Sequence, residues 1–200
     1  MRYNIVTEKW QLITPMLFDI MEGAASAINE YQIVVAGGVN SNLKNSDIIQ
    51  VYDVRDNQWR LYDICLSSPR SAVTMVSSQK DRVMILGGRE HDGTSSKVVE
   101  EIDFIKRNLV SLPPLKVGRV SPHAFQVNDT IYVFGGAEIR HDLKLTDVPA
   151  ELPIGEKLAL RENRWRDVVS RSGNSYAAKN VMSQLLTAGT CDGPVSLMYE

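Results

Sequence analysis

His91-Asp92 and His141-Asp142 are two places in this 200-residue chain where chemically capable side chains stand together in the same order. Imidazole and carboxylate can ligate a divalent metal. A metal site wants several donors held close, and two histidines without tight spacing do not supply that. Both pairs are therefore read as polar loop residues, and no metal is expected. His123 falls in a strand-like stretch, which favours a partly buried ring with a hydrogen-bond partner over a catalytic base. Asp92-Gly93 reads as a turn. A G-x-S-x-G elbow, a phosphate loop and a Cys-x-x-Cys pair are all missing from the sequence. Cys65 and Cys191 are widely separated and are expected to be reduced core thiols. No catalytic residue and no cofactor is expected.

The elements that would position these side chains repeat. Gly37-Gly38, Gly87-Gly88 and Gly135-Gly136 lie 50 and 48 residues apart, and a fixed period of this size marks one structural unit used several times. Each pair ends a short run of β-branched, aliphatic or aromatic residues: Ile33–Ala36, Val83–Leu86 and Ile131–Phe134. Such runs suit buried strands. Paired glycines let the backbone turn away with positive φ or pass close to a neighbour. Six residues separate Tyr52 from Trp59, Tyr3 from Trp10, Ile102 from Leu109 and Leu158 from Trp165. An apolar pair spaced across a polar stretch reads as a hairpin with one anchor on each strand. Asn57 and Asn163, two residues before a tryptophan, suit a left-handed turn position. Earlier turns are expected at Asn29-Glu30, Lys80-Asp81 and Asn128-Asp129. Each unit thus holds four strands, a to d, with the glycines closing b. Asp53, Asp103 and Glu200 follow the strand-c anchor and are expected to cap the c–d turn.

With the repeat assembled, the chain resembles the kelch-repeat family, whose unit is a four-stranded blade of a β-propeller. The pattern is fullest in Val35-Ala36-Gly37-Gly38, Val51-Tyr52-Asp53 and Trp59. The second repeat keeps Gly87-Gly88 and Asp103 but has Ile102 and Leu109. The third keeps Gly135-Gly136 and Trp165 with eight extra residues between them, and a worn fourth reads Leu186-Thr187-Ala188-Gly189 then Met198-Tyr199-Glu200. The resemblance implies an all-β fold, a kelch-type propeller of about four blades with incomplete terminal ones. Its segments are a partial blade at 1–13, blades at 22–62, 71–112 and 121–168 (the last with an insertion at 146–155), and an incomplete blade at 174–200. Trp10, Trp59, Trp165, Tyr52 and Tyr3 recur at the repeat's own period and are expected to pack between blades. A chain that opens in a c–d hairpin and stops in a strand c reads as a fragment or truncated product. Open terminal blades would expose apolar faces and strand edges, which favours self-association.

Composition narrows the partners. A net charge of −2 with both signs interspersed gives no electrostatic case for nucleic acid or an anionic membrane. At 44% hydrophobic the chain can bury a real core. It shows no signal-peptide-like start and no run of membrane-spanning length. The expected setting is cytoplasmic.

In the kelch proteins that bind peptides, the partner sits on the face made by the b–c and d–a loops. Here that implies loops 39–47, 89–97 and 137–155, with Asn40, Asn42, Arg89, His91, Arg140 and His141 as partner-binding candidates. Arg70 and Arg119 stand at the family's Pro-Arg-Ser-like position. There a guanidinium fork either meets a carboxylate of an acidic peptide or pairs with an adjacent blade. The 146–155 insertion is either part of that face or a neutral excursion. The resemblance implies a non-catalytic protein–protein interaction module, such as substrate recognition for cullin ubiquitin ligases. Alternatives are an actin-binding or bundling protein and a galactose oxidase-like or epimerase-like sugar enzyme. The residues that such enzymes need are not evident.

Overall fold

Residues 1–141 and 155–168 are described by a computed structural model. The worn fourth repeat, Asp142, Cys191, Glu200 and all of the insertion but Gly155 lie outside the described residues. The described chain is built from strands alone: β1 (Arg2–Asn4), β2 (Lys9–Gln11), β3 (Ala24–Ala27), β4 (Gln32–Ala36), β5 (Ile49–Asp53), β6 (Gln58–Leu61), β7 (Thr74–Gln79), β8 (Arg82–Leu86), β9 (Val99–Asp103), β10 (Asn108–Leu112), β11 (His123–Val127), β12 (Thr130–Phe134), β13 (Gly155–Ala159) and β14 (Arg164–Asp167). They form a two-stranded hairpin, β1-β2, and three four-stranded antiparallel sheets, β3-β4-β5-β6, β7-β8-β9-β10 and β11-β12-β13-β14. This is a partial kelch-type β-propeller, each full sheet one blade. Among the described residues no helix is long and apolar enough to cross a membrane.

The six-residue spacing is the register of the outer hairpin. Tyr3 faces Trp10, Tyr52 faces Trp59, Ile102 faces Leu109 and Leu158 faces Trp165. The two aromatic pairs touch, with ring centroids 5.2 and 5.1 Å apart. In all four hairpins the residue two before the second anchor takes a left-handed φ: Glu8, Asn57, Arg107 and Asn163, at 53, 56, 53 and 51°. The two asparagines suit that position. Glu8 and Arg107 do not, and the pairing of the flanking strands holds them there.

Burial runs from the blade interiors outward. The first interface joins Val34, Ala36, Ile49 and Val51 of the first blade to Val73, Met75, Val83 and Ile85 of the second. The next joins Val76, Met84, Leu86 and Val99 to Ile131, Val133, Leu158 and Trp165. Alternating side chains of one sheet thus serve two interfaces, as the period of two requires. Tyr52 and Trp165 are buried and Trp59 is half-buried, whereas Trp10 is 67% exposed and Tyr3 46%. The expectation that every repeat aromatic lies in the core is corrected for this hairpin. Among the described residues its two-stranded sheet has no inner strands against it to cover the rings.

Two further expectations are corrected. Cys65 is exposed rather than a core thiol. His123 begins β11 as expected, but its side chain is exposed and not partly buried.

Candidate functional site

The loops that follow the glycine pairs share one construction. Val39 bridges to both Met21 and Asn45, and Arg89 to both Ser71 and Ser95. This clamps each loop base between the incoming d–a linker and its own return. Asn40 Oδ1 accepts from the Asn42 and Lys44 amides at 3.0 and 3.1 Å. Asp92 Oδ1 accepts from the Thr94 amide at 3.0 Å and its hydroxyl at 2.7 Å. These short side chains hold the tips by local turn bonds.

The three loops are then laced together. Asn45 Nδ2 donates to Arg89 O at 2.9 Å. The Ser95 amide donates to Ile139 O at 2.9 Å, and the Ile139 amide to Ser95 Oγ at 3.1 Å. His141 Nε2 lies 3.0 Å from Asp92 Oδ2. The two His-Asp dipeptides are thus brought together on one rim, as neighbouring blades require, where Asp92 of one pairs with His141 of the other. Among the described residues no group of three metal-ligating side chains gathers.

The rim holds the expected surface residues in graded exposure. Asn42, His91, Arg140 and His141 are exposed, and Asn40 and Arg89 are half-buried. Arg140 faces Glu138 at 3.5 Å. Arg89 differs from the rest: its Nε is buried without a hydrogen-bond acceptor. A depression of about 260 Å³ beside the first loop is lined by Phe18, Asp19, Ile20, Asn40, Asn42 and Ile48, among others.

Arg70 and Arg119 do not belong to this surface, which corrects their assignment as partner-binding residues. Both are fully buried. Arg70 donates to Gly87 O and Val98 O at 3.2 Å each and pairs with Glu100 of strand c in the following blade. Arg119 donates to Gly135 O at 2.6 Å and pairs with Glu156 at 3.2 Å. Burial pushes the Arg70 pKa down, and Glu100 opposes that shift. The guanidinium fork binds a carboxylate, but one from the next blade.

The same geometry shows residues that spacing alone did not reveal. The bridges Met21–Val39, Ser71–Arg89 and Val120–Ala137 place Ile20, Arg70 and Arg119 at one equivalent position. The second residue of strand c is Gln50, Glu100 and Glu156 in the three blades. Where the arginine is absent, the acid is absent too. Gln50 still caps the linker: Oε1 accepts from the Phe18 amide and Nε2 donates to Phe18 O, both at 3.0 Å. Glu100 accepts from the Ser67 amide at 3.0 Å and Glu156 from the Lys116 amide at 2.6 Å.

On the opposite ends of the strands, Asp53 accepts from the Arg55 amide and Asp103 from the Ile105 and Lys106 amides. These are the expected c–d turn caps. Hydrogen bonds from the Arg55 side chain and amide hold the Asp53 carboxyl well below its usual range. The Lys106 amide does the same for Asp103. Bonds from Thr94, with a smaller one from His141, take Asp92 down to about 2. A carboxyl with a depressed folded-state pKa stabilises the fold above its unfolded value near 4, and that contribution fades as pH falls through the folded value. The denaturant midpoint is therefore expected to drop as pH is lowered from about 4 to about 2, and Asp92→Asn to make that drop shallower. Equal slopes for both proteins would contradict the assignment.

Comparison with known proteins agrees with this architecture. The family model described as Kelch motif matches residues 22–62, which hold the first full blade. The chain is 22% identical over 193 residues to Kelch repeat and BTB domain-containing protein 3 of Homo sapiens, covering 88% of this chain and 30% of that protein. It is 25% identical over 136 residues to Kelch-like protein 25 of Xenopus tropicalis, covering 68% and 22%. Kelch-like protein 41 of Mus musculus is 25% identical over 144 residues, covering 67% and 24%. The chain spans less than a third of the length of these curated relatives.

Proposed function

We propose that this chain, similar to kelch-repeat proteins, is a non-catalytic interaction module that binds a protein or peptide through the laced rim of b–c loops. The observation that supports this most is Arg89. It sits half-buried at the centre of the rim, between the Asn45 and Ser95 contacts, with its Nε turned to no acceptor. A half-buried cation on the rim can meet an incoming carboxylate with part of its desolvation already met by the fold. His91 and His141 flank it on the same rim. An acidic segment in an extended conformation fits this arrangement. Substrate capture for a cullin ubiquitin ligase, the role implied by the resemblance, asks only this rim of the chain.

The test is quantitative affinity capture with the intact chain, an Arg89→Ala/His91→Ala variant, and Lys106→Ala on the opposite end of the blade as control. The rim variant is expected to lose about tenfold or more in partner recovery, consistent with truncation of a central charged anchor. The control should match the native chain. Equal recovery by all three would remove the rim as the binding face.

A further inference from the structure

The first two blades meet over a cluster that the next interface does not repeat. The Tyr62 ring meets the Phe104 ring with centroids 5.1 Å apart, and the Arg107 guanidinium lies 5.9 Å from the Tyr62 centroid. The repeat fixes the equivalents. Tyr62 stands three residues after Trp59, as Leu112 does after Leu109. Phe104 stands two after Ile102, as Leu160 does after Leu158. Arg107 and Asn163 hold the same left-handed turn position. Two rings and a cation thus become Leu112, Leu160 and Asn163. Protein interiors hold few voids, and shorter side chains on a repeated backbone leave space. All three replacements line a cleft of about 290 Å³ between the second and third blades.

The lining gives the chemistry of what would fill it. Leu158 is buried, and Leu112 and Leu160 are half-buried, so one wall is apolar. Gln79, Asn108 and Asn163 are exposed around it, and among the described residues their side-chain amides make no hydrogen bond. Arg82 pairs with Glu101 at 3.4 Å and Asp103 at 2.9 Å, and with Lys106 the lining carries two charges of each sign. It has no net charge with which to select an ion. We propose that this cleft is a second docking site, which takes one tyrosine side chain of a protein partner. The ring would lie against the leucines, where the first interface holds its own Tyr62, and the hydroxyl would meet the exposed amides. A phenylalanine would leave those amides unused, and a lysine would bring an unbalanced charge. About 290 Å³ is at the small end for binding sites, which suits one side chain rather than a cofactor. The occupant is a side chain and not a free metabolite, because a tyrosine of the chain itself fills the equivalent place one interface earlier. No b–c loop residue lines the cleft, so it and the rim can be tested separately.

The test titrates the isotope-labelled full chain with p-cresol, which is the tyrosine side chain as a free molecule, and with the peptide Gly-Tyr-Gly. Both are expected to shift the amide resonances of Leu158, Leu160 and Asn163, with a Kd on the order of 1 mM, ordinary for fragments of this size. Gly-Lys-Gly should bind at least about tenfold more weakly. The double substitution Leu112→Tyr/Leu160→Phe rebuilds the ring pair of the first interface and should weaken p-cresol binding by about tenfold or more, with no loss of thermal stability. Leu160→Phe alone, a smaller change, gives the same reading if the double variant fails to fold. The rim variant Arg89→Ala/His91→Ala should bind p-cresol as the native chain does, which separates failure of the cleft from failure of the rim. Shifts that are absent or scattered over the surface up to about 10 mM overturn the proposal. Unchanged p-cresol binding in the filled variants overturns it too, as does binding of p-cresol without binding of Gly-Tyr-Gly.

Discussion

Arg70→Ile is expected to destabilise the protein by about 3–5 kcal/mol, and adding Glu100→Gln to return it to within about 2 kcal/mol of the native chain. The reasoning begins with burial. Arg70 and Glu100 are both without solvent exposure and pair with each other. Removing only the cation leaves a carboxylate in a dry interface, where the missing Coulomb attraction and the missing water cost far more than the pair contributed. Glu100 would keep only its bond from the Ser67 amide. The double change removes the stranded charge. The chain already contains the outcome: the equivalent positions in the first blade are Ile20 and Gln50, and Gln50 is fully buried with both ends of its amide bonded to Phe18. The deficit left in the double variant has an identifiable source, since Gly87 O and Val98 O lose the donors that Arg70 supplied. Urea denaturation of the native chain, the two single variants and the double variant completes a mutant cycle. A double variant no more stable than Arg70→Ile would refute the equivalence of the blades at this position.

That pair also shows where sequence reading stops. The blade was legible because its information is local: glycine pairs at a constant period, and anchors six residues apart that meet across a short hairpin. Register follows from such spacing without knowledge of anything distant. The destination of Arg70 depends on a strand 30 residues away, and the position on the chain allows two directions for the side chain. The one clue was in β9, Val-Glu-Glu-Ile-Asp, a strand too acidic to be buried unless its carboxylates are met. All five residues are buried. Glu100 is met by Arg70, Glu101 by Ser78 and Arg82, and Asp103 by Arg82 and the turn amides. A strand that demands cations implies that nearby arginines are spoken for. The loop candidates fared differently: rim membership follows from repeat phase, so Asn40, Asn42, Arg89, His91, Arg140 and His141 are brought to one edge by the blade geometry. Trp10 repeats the spacing of Trp59 and not its burial, because spacing fixes the hairpin partner while burial depends on what stacks against the finished sheet.

Gly88→Ala is expected to cost about 3–5 kcal/mol, against about 1–2 kcal/mol for Gly135→Ala, although both belong to the same repeated motif. Close approach differs between glycines of the motif: an added Cβ would stand 2.9 Å from Arg70 O at Gly37 and 2.6 Å from Arg119 O at Gly87. All six take positive φ, and for an L-residue with a side chain that alone costs about 1–2 kcal/mol. At Gly135, with φ of 63°, an added Cβ meets nothing within 4 Å among the described residues, and conformational strain sets the expected effect. At Gly88 the φ of 107° lies further from the left-handed minimum, and the added carbon would stand 2.6 Å from Val73 Cγ1 and 2.7 Å from Ser71 O. The valine methyl has little room, because Val73 is buried in the interface between the first two blades. The carbonyl cannot move freely either, since Ser71 O accepts the Arg89 amide at 2.7 Å and so fixes the base of the central b–c loop. A Cβ at Gly88 must displace either the blade interface or the loop that carries Arg89. The substitution should therefore weaken partner capture as well as stability, while Gly135→Ala leaves capture unchanged. Denaturation midpoints separate the two variants, and binding measured well below both unfolding transitions tests the second effect. Equal losses of stability would mean that positive φ alone, and not close approach between blades, explains the repeated glycines.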